Sequence, residues 1–434
     1  MNTPSNLKSL FKEHLAIKLN RVQQLFSQLE LNNLIISSGS VDVYFADDMQ
    51  VPFIASPFFR EWLPLNKRQG CFLHIQASNN KPTLYLLNKE DIWHSAMQEL
   101  PKGWEAMFDV RPYQDVSQLF DKGLLNSAGT AFLGPNNSFE IDNSRFNPQQ
   151  VIDYLDYFRQ YKSAYEQHCI RVANQLAMPC HLAAKDMFLN SGSELDVKRA
   201  FLHVANVSEN DLPYPIISGI NENAAVLHHH RLDNTKPNQH RSLLIDAGVE
   251  YYGYASDITR TYAFHSHPEF AHLINAVDTL QLQIVSEAQV GKTMAELNRL
   301  CHEKLTRLLI EQQFITSSFE QAMELGLSKR FLPHGLGHGV GVNVHERGAT
   351  LASPDGQLCT RSEFGLEKKL VASEVITIEP GLYFIPGLLN KLKLENSVAI
   401  NWSKVEQFMP FGGIRIEDNI LINQTGEPEN LTRI

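Results

Sequence analysis

Acidic residues inside strand-like apolar runs constrain this chain more than any other feature. SLLID ends on Asp246, DITRTYAF begins on Asp257, VITIE ends on Glu379, and GGIRIEDNILI carries Glu417. A carboxylate on a buried strand is strongly disfavoured unless it is paired or bound to a cation. A fold that buries these runs must therefore gather the carboxylates around something positive.

The segment 242–264, SLLIDAGVEYYGYASDITRTYAF, reads as two alternating runs joined by a Tyr- and Gly-containing turn, a hairpin. With the turn centred between Tyr251 and Tyr252, Asp246 and Asp257 oppose each other, with Cβ atoms roughly 4.5–5.5 Å apart. A divalent metal is the simplest partner for two such carboxylates, although either one alone could be a turn or surface residue.

LPHGLGHGVGVNVHE (332–346) places His334, His338 and His345 among four glycines. That glycine density defeats a helix, so the i,i+4 spacing of the first two histidines is not a helical zinc motif. The glycines instead let imidazoles crowd a ligand, and imidazole binds transition metals. Glu379 precedes a Pro-Gly turn. Arg415 and Glu417 share a strand face, where a local salt bridge is the alternative to a functional role. Asp246, Asp257, His338, Glu379 and Glu417 together make an oxygen-rich set with one imidazole. Such a set suits Mn²⁺, with Zn²⁺ or Co²⁺ as substitutes, and its four charges suit two ions better than one.

At 434 residues the chain is too long for one core, and two domains are expected, 1–155 and 156–434. LNNLIISS, CFLHIQA and PTLYLLN read as strands, and residues 8–30 as a helix with Leu15, Ile17, Leu19, Val22 and Leu25 on its apolar positions. The N-terminal half is thus expected to be a mixed sheet flanked by helices. GPNNSFEIDNSRFNPQQ resembles a boundary loop. Helices are expected from 150 to about 210 and across 269–312 and 317–328, and strands at 374–385, 392–400 and 413–423.

The net charge of −10 argues against nucleic acid as a partner. No run of about 18 apolar residues marks a membrane span, and the N-terminus lacks a signal-peptide pattern. Five scattered cysteines fit reduced thiols in the cytoplasm. No phosphate-cradling GxxxxGK[ST] loop is present.

At NENAAVLHHHRLD (221–233), LLIDAGVEYYGYASDITRTY, LPHGLGHGVGVNVHE, TIEPGLYF and GGIRIEDN the sequence resembles the pita-bread metallopeptidases, and within them the bacterial Xaa-Pro dipeptidases. YFADDMQVPFIASPFFREWLP (44–64) resembles a segment of the same dipeptidases. The resemblance implies an α/β (α+β) chain whose C-terminal domain is a curved antiparallel sheet covered by helices. It implies hydrolysis of dipeptides with a C-terminal proline by a hydroxide bridging two ions, with a side activity on organophosphorus triesters.

By that resemblance Asp246 binds one ion, His338 and Glu379 the other, and Asp257 and Glu417 bridge. Glu379 shuttles a proton, and His345 stabilises the tetrahedral intermediate. His228, His334 and Arg415 receive the proline and its carboxylate, with Tyr214 and Leu227 as walls. The resemblance further implies a homodimer formed through the N-terminal domain, which also serves as a pocket lid. Asp47 or Asp48 of one subunit would reach the substrate amine of the other. Two departures bear on the pocket: Gly339 stands where those relatives often have Pro, and VHERGA where they tend to have VHDVAG. An aminopeptidase acting on longer Xaa-Pro peptides and a non-catalytic binding module remain the alternatives.

Overall fold

A computed structural model describes residues 5–88, 97–120, 122–135, 139, 141–395 and 398–433. The chain divides into two compact units. The first comprises Met1–Arg159, Ser163–His168 and Ser353–Gln357, and the second Gln160–Lys162, Cys169–Ala352 and Leu358–Ile434.

The first unit opens with the helix Ser5–Leu29. Leu7, Phe11, Leu15, Val22 and Leu25 recur at helical spacing and are buried, whereas Ile17 falls between them in phase and is 40% exposed. Five strands follow: β1 Asn33–Ser37, β2 Cys71–Gln76, β3 Asn79–Leu87, β4 Asp109–Tyr113 and β5 Thr130–Leu133. Their order is β4-β3-β2-β1-β5. The two outer pairings are parallel and the two inner ones antiparallel, so the sheet is mixed, as expected. Ile35, Phe72 and Phe132 form its core with Phe120 and Ile141. Of the expected boundary loop, residues 136–138 and 140 lie outside the described residues. Arg145 and Asn147 hydrogen-bond to the main chain of Phe132, which ties that stretch to β5.

Helices occupy Gln149–Arg159, Ala164–Leu189 and Glu194–Ala205. The last begins with a capping box in which Ser193 and Asp196 satisfy each other's backbone N–H groups. The second unit then builds antiparallel pairs. β6 Ile217–Ile220, β7 Ser242–Asp246, β8 Glu250–Tyr251, β9 Tyr254–Ala255 and β10 Thr259–Ala263 come first. β11 Arg361–Ser362 and β12 Gly365–Leu366 form a small hairpin. β13 Val375–Ile378, β14 Gly381–Tyr383, β15 Gly413–Arg415, β16 Asp418–Leu421 and β17 Glu429–Asn430 complete the set. β13 pairs with β16, β14 with β15, and β10 with β7, all antiparallel. The helices Pro268–Val285 and Met294–Glu311 pack Phe270, Val277, Ile284, Leu305 and Leu309 into the same core as Ile376, Ile378 and Ile414.

Two expectations need correction. The hairpin register is displaced by two residues. Tyr252 and Gly253 both have positive φ, 51° and 87°, the backbone of a two-residue turn whose twist matches the strands. The turn therefore centres one residue later than read, and Asp246 pairs with Thr259. A shift of two preserves the face, so Asp246 and Asp257 remain diagonal neighbours on one side. Residues 392–394, read as strand, end the helix Pro386–Leu394, whose Pro386 at its first turn favours the helix start.

All five cysteines are free thiols. Among the described residues, no helix is long and apolar enough to cross a membrane.

Candidate metal centre

Within the second unit the strand ends converge. Asp246 closes β7, Asp257 stands between β9 and β10, Glu379 follows β13, and Glu417 lies between β15 and β16. His338 comes from the glycine-rich segment, which forms no helix and lies along β13. Thr377 donates its N–H to the His338 carbonyl at 2.8 Å, and the His338 N–H donates to Thr377 Oγ1 at 3.0 Å. Gly337 makes that approach feasible, because a Cβ there would sit 2.0 Å from the Thr377 carbonyl oxygen. Glu379 donates its N–H to the Leu336 carbonyl at 2.8 Å, which sets Glu379 beside the same segment.

One carboxylate oxygen each from Asp257 and Glu417 and a ring nitrogen of His338 all lie within 4.8 Å of one another, a spacing that can hold a metal ion. The His338 ring donates from Nδ1 to the Gly339 carbonyl at 3.2 Å, which puts its proton on Nδ1. Its Nε2 then faces Asp257 Oδ2 at 3.4 Å and Glu379 Oε1 at 3.6 Å. Burial pushes His338 down to about 4, so the ring does not supply a cation at neutral pH.

Burial, and then the neighbouring Asp246, push the Asp257 carboxyl well above the usual carboxylate range. Glu417 is raised by burial and by Asp257 and Asp246, and Glu379 by burial and by Glu417. Arg415 is the guanidinium of the cluster. It donates from Nη2 to Asp246 Oδ2 at 2.8 Å, from Nη1 to the Tyr383 hydroxyl at 3.0 Å and from Nε to Thr259 Oγ1 at 3.1 Å. Its ion pair is thus with Asp246 across the sheet rather than with Glu417 beside it. Asp246 Oδ1 is buried without a hydrogen-bond partner. An orphaned carboxylate oxygen, an imidazole nitrogen and three carboxyls held above their usual range make a donor set that fits hard or borderline divalent cations.

The other expected residues are placed as follows. His334 lies beside Glu379, with Nδ1 at 3.8 Å from Oε2, and burial pushes it down to about 4. His345 is exposed and its ring lies against His338, centroids 4.0 Å apart. It is carried by the buried pair Lys162–Glu346 at 2.6 Å, and Glu346 also donates its N–H to the Gly339 carbonyl at 2.9 Å. The Tyr214 hydroxyl, hydrogen-bonded to Asp257, is raised well above its usual value by burial and Asp246. Leu227 packs against the core, and His228 is exposed and stacked on His230 at 6.1 Å. Asp47 and Asp48 belong to the first unit and are exposed on a turn between Asp42 and Val51. A cavity of about 620 Å³ runs along the glycine-rich segment, lined by His334, His338, His345, Met294, Phe364 and Arg361 among others.

Tyr383, Thr259 and Asn419 were missed from the sequence. Thr259 donates from Oγ1 to Glu417 Oε2 at 2.6 Å. Alternation pointed to two of them, since Thr259 follows Asp257 and Asn419 follows Glu417 at period two.

The Metallopeptidase family M24 model matches residues 168–424, and the model of the Xaa-Pro dipeptidase N-terminal domain matches residues 9–157. The chain is 37% identical to the Xaa-Pro dipeptidase of Pseudoalteromonas translucida over 98% of each chain. It is 39% identical to that of Aeromonas hydrophila over 99% of each. Among solved structures, Pseudomonas aeruginosa aminopeptidase PepP matches 97% of this chain and 94% of its own with TM-score 0.74 at 19% identity. Aminopeptidase P from E. coli in its low-pH form gives 0.71 at 21%, over 97% and 95%. These structures show the pita-bread fold expected for the C-terminal half. With the family model spanning more than half its length and relatives matching it end to end, the chain belongs to metallopeptidase family M24.

Proposed function

We propose that this chain hydrolyses Xaa-Pro dipeptides at a site for two divalent ions, Mn²⁺ by preference. The carrying observation is that carboxylate oxygens of Asp257 and Glu417 and a ring nitrogen of His338 lie within 4.8 Å of one another, with Glu379 Oε1 3.6 Å from His338 Nε2. The names of the full-length relatives support the substrate. Asp246 would hold one ion, His338 and Glu379 the other, with Asp257 and Glu417 shared. Two ions there would polarise the scissile carbonyl and make a water nucleophilic at neutral pH.

The side chains do the rest. Glu379, raised by burial and Glu417, accepts a proton and passes it to the leaving proline nitrogen. His345 donates toward the developing oxyanion. Three of the five N–H donors of Arg415 bond to Asp246, Tyr383 and Thr259, and the other two, with His228 and His334, receive the proline carboxylate. Tyr214 and Leu227 wall the pocket. Tetrahedral phosphorus in organophosphotriesters suits the same nucleophile.

The first unit would form a homodimer, for which Val43, Phe45 and Met49 offer an exposed apolar surface beside Asp47 and Asp48. Five free thiols favour the cytoplasm.

A ladder of Ala-Pro, Ala-Ala and Ala-Pro-Ala in the presence of Mn²⁺ tests the substrate. Cleavage of Ala-Pro alone is expected. Equal cleavage of Ala-Pro-Ala would make the enzyme an aminopeptidase, and equal cleavage of Ala-Ala would remove proline from the specificity.

A further inference from the structure

Asn419 follows Glu417 by two residues and pairs with Thr377 on β13. Thr259 and Glu417 form an antiparallel bridge, and Glu417 donates its N–H to the Thr259 carbonyl at 3.1 Å. Continued by one repeat, that pairing would set the Asn419 backbone against Asp257. The backbone does not continue. The Asn419 N–H donates to Thr432 Oγ1 at 2.9 Å, and its carbonyl accepts from the Leu431 N–H at 2.9 Å.

The side chain makes the missing rung instead. Asn419 Oδ1 accepts from the Asp257 N–H at 3.0 Å, and Nδ2 donates to the Asp257 carbonyl at 2.8 Å. A main-chain N–H can only donate, so the carboxamide has one allowed orientation. Its oxygen also accepts from Asn174 Nδ2 at 3.0 Å, and Thr432 Oγ1 holds Asn174 Oδ1 at 2.8 Å. Asn419 and Asn174 are both completely buried.

Asp257 lies outside regular strand, between β9 and β10, so the ladder around it does not by itself fix the carboxylate. Glu417 is fixed by Thr259, through the main chain and through Oγ1. We infer that Asn419 is a positioning residue for the cation site, its carboxamide acting as a peptide surrogate that sets Asp257 at its distance from Glu417. Among the side chains, only a carboxamide of this length presents a donor and an acceptor at the spacing of a peptide group. Aspartate lacks the donor, leucine lacks both, and glutamine is one methylene too long. Groups that orient metal ligands affect ion affinity by about ten- to hundred-fold, and that is the scale expected here.

The inference rests on Asp257 and Glu417 being ion ligands. The test titrates the chelator-dialysed full chain with Mn²⁺ by calorimetry, as wild type, Asn419→Ala and Asn419→Asp, with the thermal midpoint of each metal-free protein measured in parallel. Both variants are expected to bind Mn²⁺ about ten- to hundred-fold more weakly than wild type. A folded Asn419→Ala with unchanged Mn²⁺ affinity overturns the inference, even if its midpoint falls, because the residue would then serve stability alone. Should both variants fail to fold, Asn174→Ala takes their place, since it loosens Asn419 without touching Asp257. Weaker Mn²⁺ binding by that variant supports the inference, and unchanged binding overturns it. Failure of the underlying reading has a different signature, in which wild type itself takes up no Mn²⁺.

Discussion

The phenol oxygen of Tyr383 accepts a hydrogen bond from Nη1 of Arg415 at 3.0 Å. Its own proton therefore points to His334 Nε2, 2.8 Å away, and His334 donates from Nδ1 to the Gly335 carbonyl at 2.8 Å. The bonds run in one direction, so one hydroxyl orients two of the three side chains proposed to receive the proline, His334 and Arg415. Tyr383→Phe leaves a buried Arg415 donor unsatisfied, at about 1–3 kcal/mol. Steady-state assays on Ala-Pro should show kcat/KM reduced by about 5- to 150-fold, mostly through KM.

His338→Ala removes the one imidazole of the proposed ligand set. Losing about 4 kcal/mol of transition-state stabilisation corresponds to about a thousandfold fall in kcat/KM. Elemental analysis of the purified variant should show fewer ions per chain than wild type, and an unchanged count would remove His338 from the site.

Gly337→Ala should unfold more readily. Its new Cβ would lie 2.0 Å from the Thr377 carbonyl oxygen, in backbone that cannot yield. Overpacking of this kind costs about 3 kcal/mol. Gly335→Ala serves as the contrast, since a Cβ there meets nothing within 4 Å. Denaturant unfolding should separate the two variants, and equal midpoints would show that the close approach to β13 is unimportant.

The first unit carries a pH dependence of its own. His14 is fully buried between Ser163 Oγ at 2.8 Å and the Glu61 carbonyl at 2.7 Å, with Glu166 nearby at 3.7 Å. Burial lowers its affinity for a proton despite the opposing pull of Glu166. Below about pH 6.5 the unfolded chain gains a proton that the folded chain resists, so this contribution to stability is present above that pH and fades below it. His14→Gln should flatten the fall in thermal midpoint between pH 6.5 and more acidic buffers, and an unchanged slope would place the titration elsewhere.

The clustering of the candidate residues was legible where the signal was local. Asp246, Glu379 and Glu417 stood out because charge on an apolar strand is anomalous, and His338 because glycines rule out the bland helical reading of its spacing. The hairpin register was lost at Tyr252, whose positive φ is rare for a residue with a side chain and moves the turn onto Gly253. Residues 392–400 read as a strand, yet Pro386 starts a helix through Leu394 that carries Leu389 and Leu392 into the core. Tyr383, Thr259 and Asn419 are ordinary residues in ordinary strands. Their importance exists only once β10, β14 and β16 are neighbours, and that is tertiary information.

The central claim is that the buried carboxylates and His338 hold catalytic divalent ions. The direct measurement dialyses the protein against a chelator, titrates it with Mn²⁺, and follows bound ions and Ala-Pro hydrolysis in the same samples. The account predicts no hydrolysis in the stripped protein, and activity that returns with bound Mn²⁺ and saturates at two ions per chain. Full hydrolysis by protein shown to be free of ions would contradict it.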